Sequence, residues 1–404
     1  MKRFVALSVL ALVGCTTYDL EPVEPLAVAQ TMWREVITAR EPVPNFMLLV
    51  DRSGSMEAPI DAAHPACAPG CGSGNPCAAS CPTRISELKL ALDRLLTGPK
   101  QASARWSLTT FPGDLSCAGP AGVDSLFSGS PLDDPSELRA AASQVNARIQ
   151  ALVPGGGTPT GQALTFVGNL SALGDPTRRD VVLLLTDGLP NCSASNPNQV
   201  CTCDGASCGG CAPTAPVCAA QQARCRCTLG SCAGVRCSEG CLDDSAAVAA
   251  VQANAARGIQ TIVVGFGSDL VGGDAPGVLE AMARAGGHLR DCASDADCGP
   301  LNSCGPTGAC ARQYYSASDS AGLEGIFGEI VPDPARLCRF TVSPQPARSE
   351  LLVVKIDDVR VYPGPDTFSY AAGLITFTGA LCDRFLDSSP QQPVNLAVAV
   401  VESL

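Results

Sequence analysis

The sequence predicts an α/β fold: a doubly wound, mostly parallel sheet with disulfide-rich insertions, followed by a small C-terminal β domain. Two observations point there. Short apolar runs alternate with helix-like segments from Phe46 to Ile330, the pattern of strands joined by crossover helices. The run Val181-Val182-Leu183-Leu184-Leu185 is apolar without interruption, as suits a strand covered on both faces. With 404 residues and 46% hydrophobic composition, the chain can fill one large core and a smaller one.

Taken in order, strand Phe46–Val50 is followed by helix Ile85–Leu96, strand Trp106–Phe111 and an edge strand near Val123–Phe127. Helices Pro135–Leu152 and Gly161–Leu170 precede strand Val181–Leu185 and helix Asp244–Arg257. Strand Thr261–Gly265, helix Pro276–Ala285, strand Tyr314–Ser316 and helix Ala321–Ile330 complete the series. These elements define a domain over 45–331, with Cys-rich insertions at 57–84, 191–242 and 291–311. Before it, residues 15–44 are polar and acidic with Pro at 22, 25, 42 and 44, which reads as a tether with a short helix around Thr31–Thr38. Past Pro332-Asp333-Pro334 the pattern becomes β-like without a helical period: Leu351–Ile356, Asp358–Tyr362, Leu374–Phe377 and Val394–Val401. Residues 335–404 are therefore expected to be a small β domain stapled by Cys338 and Cys382.

The N-terminus has the parts of a secretory signal over residues 1–14: basic Lys2-Arg3, an apolar Phe4–Val13 too short to span a bilayer, and a small Gly14. Leu12-Val13-Gly14-Cys15 resembles the bacterial lipobox, which implies cleavage before Cys15 and its lipidation. Acyl chains would hold the protein to a membrane at about 0.8 kcal/mol per buried methylene. Thr16, where an inner-membrane retention signal shows Asp, favours the outer membrane, on its periplasmic or cell-surface side. Cysteine usage agrees with export. Setting Cys15 aside leaves 22 of the 23 cysteines, an even number that suits disulfides in an oxidising compartment. Cys67, Cys71, Cys77 and Cys81 form one group, and Cys292, Cys298, Cys304 and Cys310 another. Cys117 goes with the eleven from Cys192 to Cys241. Zinc is the competitor at Cys208-x-x-Cys211 and at the Cys201/Cys203 and Cys225/Cys227 pairs.

Ligands of an open α/β sheet bind outside the carboxyl ends of its strands. Three such places here are rich in oxygen: Asp51-Arg52-Ser53-Gly54-Ser55, Gly155-Gly156-Gly157-Thr158-Pro159-Thr160 and Thr186-Asp187-Gly188. Carboxylates and hydroxyls without imidazole or thiolate suit a hard cation such as Mg2+, with Mn2+ or Ca2+ as alternatives. In this order and at these strand ends, the residues resemble the von Willebrand factor type A family and its metal ion-dependent adhesion site (MIDAS). The resemblance spans 45–331 and maps the ligand positions onto Asp51, Ser53, Ser55, Thr158 and Asp187, with Thr160 a substitute for Thr158. It implies that Ser53 and Ser55 ligate the ion directly, Thr158 directly or through water, and the two aspartates largely through water. It also implies that an acidic side chain of a protein partner completes the coordination. The long insertions depart from the family, and those at 57–84 and 191–242, with the Cys117 loop, are expected to ring the metal or to block it. Asp291, Asp295 and Asp297 in the third insertion do not match an EF-hand loop and read as solvated acids.

A net charge of −12 without basic runs argues against nucleic acid. His64 and His288 are the only histidines, which leaves little for acid–base chemistry, and no Gly-x-Ser-x-Gly, His-Glu-x-x-His or Walker motif is present. Catalysis and a small-molecule substrate are not expected. The reading is an envelope lipoprotein that binds a protein through its metal, in adhesion or assembly. The alternative is a structural envelope protein whose Cys-rich insertions make the contacts while the metal site is silent or only stabilising.

Overall fold

Two short strands, β1 (Thr31–Glu35) and β2 (Ile37–Arg40), open the part of the chain that the computed structural model describes. That part runs over residues 31–403 apart from 36, 41, 73, 128–132, 193–241, 268–274, 300–301 and 390–391. Next come β3 (Asn45–Asp51), α1 (Arg84–Thr97), β4 (Arg105–Phe111), α2 (Pro135–Gln150), α3 (Thr160–Gly168) and β5 (Asp180–Thr186). After the second insertion follow α4 (Asp244–Ala256), β6 (Ile259–Phe266), α5 (Ala275–Ala285), β7 (Tyr315–Ala317) and α6 (Ser320–Ile330). Strands β3 to β7 form a parallel sheet in the order β4-β3-β5-β6-β7. This is the expected doubly wound α/β arrangement.

Every residue of β3 and β5 is buried, because helices cover both faces of the sheet. Phe46, Leu48 and Val50 of β3 point into one core with Leu92 of α1, Val145 of α2 and Phe327 of α6. Met47 and Leu49 point into the other, with Leu164 of α3, Val251 of α4 and Leu279 of α5. The period of two along the strand sends successive side chains to opposite cores. Local signals start the helices. Thr83 and Ser86 make a reciprocal capping box at α1, and the Asp134 carboxylate accepts from the first amides of α2, where Pro135 occupies the first position. The expected strand near Val123–Phe127 is instead a single bridge between Leu108 and Ser125. Asp124 Oδ2 takes the Thr110 N–H at 2.7 Å and its hydroxyl at 2.9 Å, so a side chain occupies the edge where a backbone ladder would run.

The remaining strands are β8 (Arg339–Ser343), β9 (Leu352–Ile356), β10 (Val359–Val361), β11 (Phe368–Ala371), β12 (Leu374–Phe377) and β13 (Leu396–Ser403), with helix α7 (Gly379–Leu386) before the last. They build two four-stranded antiparallel sheets, β1-β13-β9-β10 and β11-β12-β8-β2. Both contribute to one core, with Val354 and Val400 from one sheet meeting Phe340 and Phe377 from the other. The expectation of no helix after 335 is corrected by α7. At eight residues it is too short for periodicity to reveal, yet it buries Cys382 and Phe385.

The larger correction concerns residues 31–40, read from sequence as tether and short helix. They are strands: β1 pairs antiparallel with β13, and β2 with β8. Pairing with a distant edge overrides local preference, and the β-branched and aromatic content of Thr31, Trp33, Ile37 and Thr38 permits it. The β unit is thus closed by both ends of the described chain, with the α/β domain inserted between its strands. Cys15 and the signal lie outside the described residues, and among those described no helix is long and apolar enough to cross a membrane. Removing residues 31–40 exposes the edges of β13 and β8. A chain beginning at Pro42 should unfold at lower temperature and self-associate in sedimentation velocity, relative to one beginning at Thr16. Equal melting and a monomer in both would contradict the pairing.

Candidate metal centre

Asp51 is the last residue of β3, and Asp187 directly follows β5. These neighbouring strands lead to opposite sides of the sheet, β3 running on to β4 and β5 to β6, so their carboxyl ends flank the point where the strand order reverses. The Asp51 side chain is fully buried, and its Oδ1 accepts from Ser53 N at 2.8 Å while its Oδ2 accepts from Thr186 Oγ1 at 2.7 Å. The Ser53 and Ser55 hydroxyls share a hydrogen bond at 3.0 Å, and Ser55 Oγ donates to Asp187 Oδ1 at 2.9 Å. Asp51, Ser53, Ser55 and Asp187 therefore lie along one hydrogen-bonded chain, partly buried at Ser55.

Thr158 comes to the same place through its backbone. Gly155 N donates to Arg52 O at 2.8 Å, and Gly54 N donates to Gly156 O at 3.0 Å, which interlocks the first and second loops. Thr158 N donates to Asn191 Oδ1 at 2.6 Å. The Thr160 hydroxyl, the alternative ligand, is turned back onto the Thr158 carbonyl at 3.4 Å.

Sequence reading missed two participants, Asn191 and above all Arg84, and gave no role to Thr186, which it had placed in the third oxygen-rich strand end. The Arg84 guanidinium donates to Asp187 Oδ2 at 2.7 Å, with side chains only 7% and 0% exposed. Arg84 opens α1, directly after the first insertion returns to the sheet. No local motif marks it, because its role depends on where that insertion ends. Burial drives the Asp51 pKa up to about 7, and the Asp187 charge adds to the rise against the hydrogen bonds from Ser53 and Thr186. Burial also raises the Asp187 pKa, opposed by Arg84 and Ser55. Among the described residues the cation bonded to this pair of buried carboxylates is Arg84, on Asp187, and the bonds to Asp51 come from neutral donors. That surplus of negative charge, with hydroxyl oxygens beside it and neither imidazole nor thiolate in the set, fits a hard divalent cation.

Two insertions and the Cys117 loop leave carboxyl ends of strands on this side. The first is braced by Cys67–Cys81 and Cys71–Cys77, and Met56 and Ile60 beside it enter the core. A Cys117–Cys192 disulfide joins the loops leaving β4 and β5. The third insertion, between α5 and β7, carries Cys292–Cys304 and Cys298–Cys310. There Asp297 Oδ2 accepts from Ala293 N and Ser294 N, and Asp295 Oδ1 accepts from Cys304 N, so both carboxylates brace the loop. Cys338 and Cys382 are joined in the β unit. The cysteine pairs considered for zinc, from Cys201 to Cys227, lie outside the described residues.

No protein-family model matches the chain, and no curated protein matches it. Among solved structures it is similar to a pilus adhesin of Lactobacillus rhamnosus GG, at 14% identity and a TM-score of 0.39, covering 90% of this chain and 40% of the adhesin. It is similar to the vWF domain of the type V pili tip protein of Porphyromonas gingivalis, at 14% identity and a TM-score of 0.39, covering 72% of this chain and 96% of that domain. The manganese-loaded TRAP protein of Plasmodium vivax is a third, at 14% identity and a TM-score of 0.37, covering 74% and 76%. The chain spans less than half the length of the adhesin.

The Asp51 shift has a direct consequence for ion-free protein. Its folded pKa of about 7 lies above the ordinary 3.8, so the folded state holds this proton more tightly than the unfolded chain. The resulting stability is full below about pH 4 and is lost as pH rises through about 7. In chelator, the unfolding midpoint should fall between these limits more steeply in the wild type than in Asp51→Asn. Parallel pH profiles for the two proteins would count against a protonated, buried Asp51.

Proposed function

We propose that this chain is a cell-envelope lipoprotein that binds a protein partner through a divalent-metal, MIDAS-type site, in adhesion or assembly. The observation that carries the reading is the joining of Asp51, Ser53, Ser55 and Asp187 in one hydrogen-bonded chain, with both carboxylates buried. Ser53, Ser55 and Thr158 would offer hydroxyls to Mg2+, or to Mn2+ or Ca2+, while Asp51 and Asp187 supply charge. When bound, the ion supplies a Lewis-acidic centre for an oxygen ligand. Counting Arg84, a site with two carboxylates and a divalent ion is net positive. Charge therefore selects an anionic group, in keeping with an acidic side chain on the partner. Export, the Cys15 acyl anchor and an outer-membrane position on the periplasmic or surface side complete the proposal. No catalytic or small-molecule role is part of it.

A second reading has a specific observation in its favour. The Arg84–Asp187 ion pair gives one carboxylate a protein cation of its own, as suits a site that is silent or only stabilising. The Cys-rich insertions would then make the contacts of a structural envelope protein.

Calorimetric titration of Mn2+ into the oxidised chain from Thr16 onward separates the two. Asp187→Ala would also remove the buried ion pair with Arg84, so Ser53→Ala/Ser55→Ala is the better control. We expect saturable binding by the wild type and its loss in the double variant, with the melting curve of the chelated protein preserved. A folded wild type that takes up no Mn2+ would sink the adhesion mechanism.

A further inference from the structure

The second metal loop contains three consecutive glycines, Gly155 to Gly157, immediately before Thr158. Glycine loses more conformational freedom on ordering than any other residue, so such a loop is a poor platform for a ligand unless something else holds it. What holds it is visible on both sides. Gly157 N donates to Ser116 O at 2.7 Å, from the loop leaving β4. Thr158 N donates to Asn191 Oδ1 at 2.6 Å, and Asn191 N donates back to Thr158 O at 2.9 Å, from the loop leaving β5. The residues after these two anchors are Cys117 and Cys192, and they are bonded to each other.

The disulfide also presses on the loop directly. A Cβ at Gly157 would stand 2.3 Å from Cys192 Sγ and 3.0 Å from Cys117 Sγ, distances that leave no room for a methyl group. From beneath, Gln162 of α3 braces both sides: its Nε2 donates to Cys192 O at 2.7 Å and its Oε1 accepts from Gly119 N at 3.1 Å.

We propose that the Cys117–Cys192 disulfide, with Ser116 and Asn191 beside it, is a positioning clamp that sets the metal loop at Thr158. This rests on reading Asp51, Ser53, Ser55, Thr158 and Asp187 as a divalent-metal site. The cross-link fixes the distance between two anchors that would otherwise belong to independent loops. Each anchor bonds an amide of a segment with little rigidity of its own. None of the clamp residues is a ligand; they act through Thr158, as partners outside the coordination sphere do in other metal centres. The clamp couples the second insertion, which begins at Asn191, to the affinity of the site.

The test compares wild type, Cys117→Ala/Cys192→Ala and Asn191→Ala, the last keeping the disulfide should the first fold poorly. Without metal, amide hydrogen exchange at Gly157 and Thr158 should be about 10-fold faster in both variants, while amides of β3 and β5 keep their protection. Mn2+ affinity should fall by about 10-fold, at the lower end of the range for such supporting residues. Gly157→Ala adds a cycle: it should lower the unfolding midpoint of the disulfide-bonded protein more than that of Cys117→Ala/Cys192→Ala, where both sulfur contacts are gone and the Asn191 Oδ1 contact at 3.1 Å remains. A disulfide with only a general stabilising role would show no such suppression and would loosen the strands as well as the loop. Unchanged exchange at Gly157 and Thr158, or unchanged Mn2+ affinity in variants that do exchange faster, overturns the clamp. Failure of the wild type itself to bind Mn2+, with exchange responding as stated, is instead the failure of the metal reading.

Discussion

Burying two carboxylates side by side is the constraint on which the carboxyl end of the sheet depends. Asp51 and Asp187 stand at the carboxyl ends of adjacent central strands, at 0% and 3% exposure, where isolated charges are expensive. Each neighbouring feature answers part of that cost. The first loop turns back so that Ser53 N meets Asp51, Ser55 reaches across to Asp187, and Thr186 bonds Asp51 from the next strand. Arg84 arrives from the opposite end of a long insertion to neutralise one of the pair. One negative charge remains over, which a proton on Asp51 or a bound cation can balance. Among the described residues the site is therefore electrostatically incomplete, which is what makes it suited to a cation.

The insertions are integral to this arrangement. The first must deliver Arg84 to Asp187, and its two disulfides limit the paths that the intervening residues can take. Met56 and Ile60 anchor its start in the core, while the Thr83–Ser86 capping box sets where α1 begins. On the other side, the Cys117–Cys192 link ties the loops leaving β4 and β5 across the glycine-rich turn. The end of the first insertion, at Arg84, and the start of the second, at Asn191 and Cys192, are thus in contact with the oxygen-rich loops.

At the opposite end, Asp133 performs a related task for the junction between the two units. Its carboxylate pairs with Arg105 at 2.6 Å and Arg178 at 2.8 Å and accepts from Val43 N at 3.1 Å. Val43 itself packs with Leu138 and with Leu337, at the return to the β unit. Both crossings between the units therefore lie beside the amino ends of the parallel strands, away from the candidate metal centre.

Sequence by itself determined the elements of the α/β domain apart from the edge near Val123–Phe127, because burial on both faces writes itself into runs such as Val181–Leu185 and into the polar punctuation between them. It also marked the oxygen-rich strand ends at 51–55, 155–160 and 186–188, since the chemistry of a hard cation requires those residue types close together. Tertiary structure alone decided what depends on distant pairing. Residues 31–35 and 37–40 became strands because the edges of β13 and β8 were there to receive them, and no local periodicity encodes an edge that distant along the chain. Helix α7 was too short to leave a pattern. Arg84, Asn191 and the partner of Cys117 acquired their roles only when the ends of the insertions met. Which charge neutralises a buried carboxylate, and which amide a side chain holds, are set by proximity in space, and spacing along the chain carries no record of it.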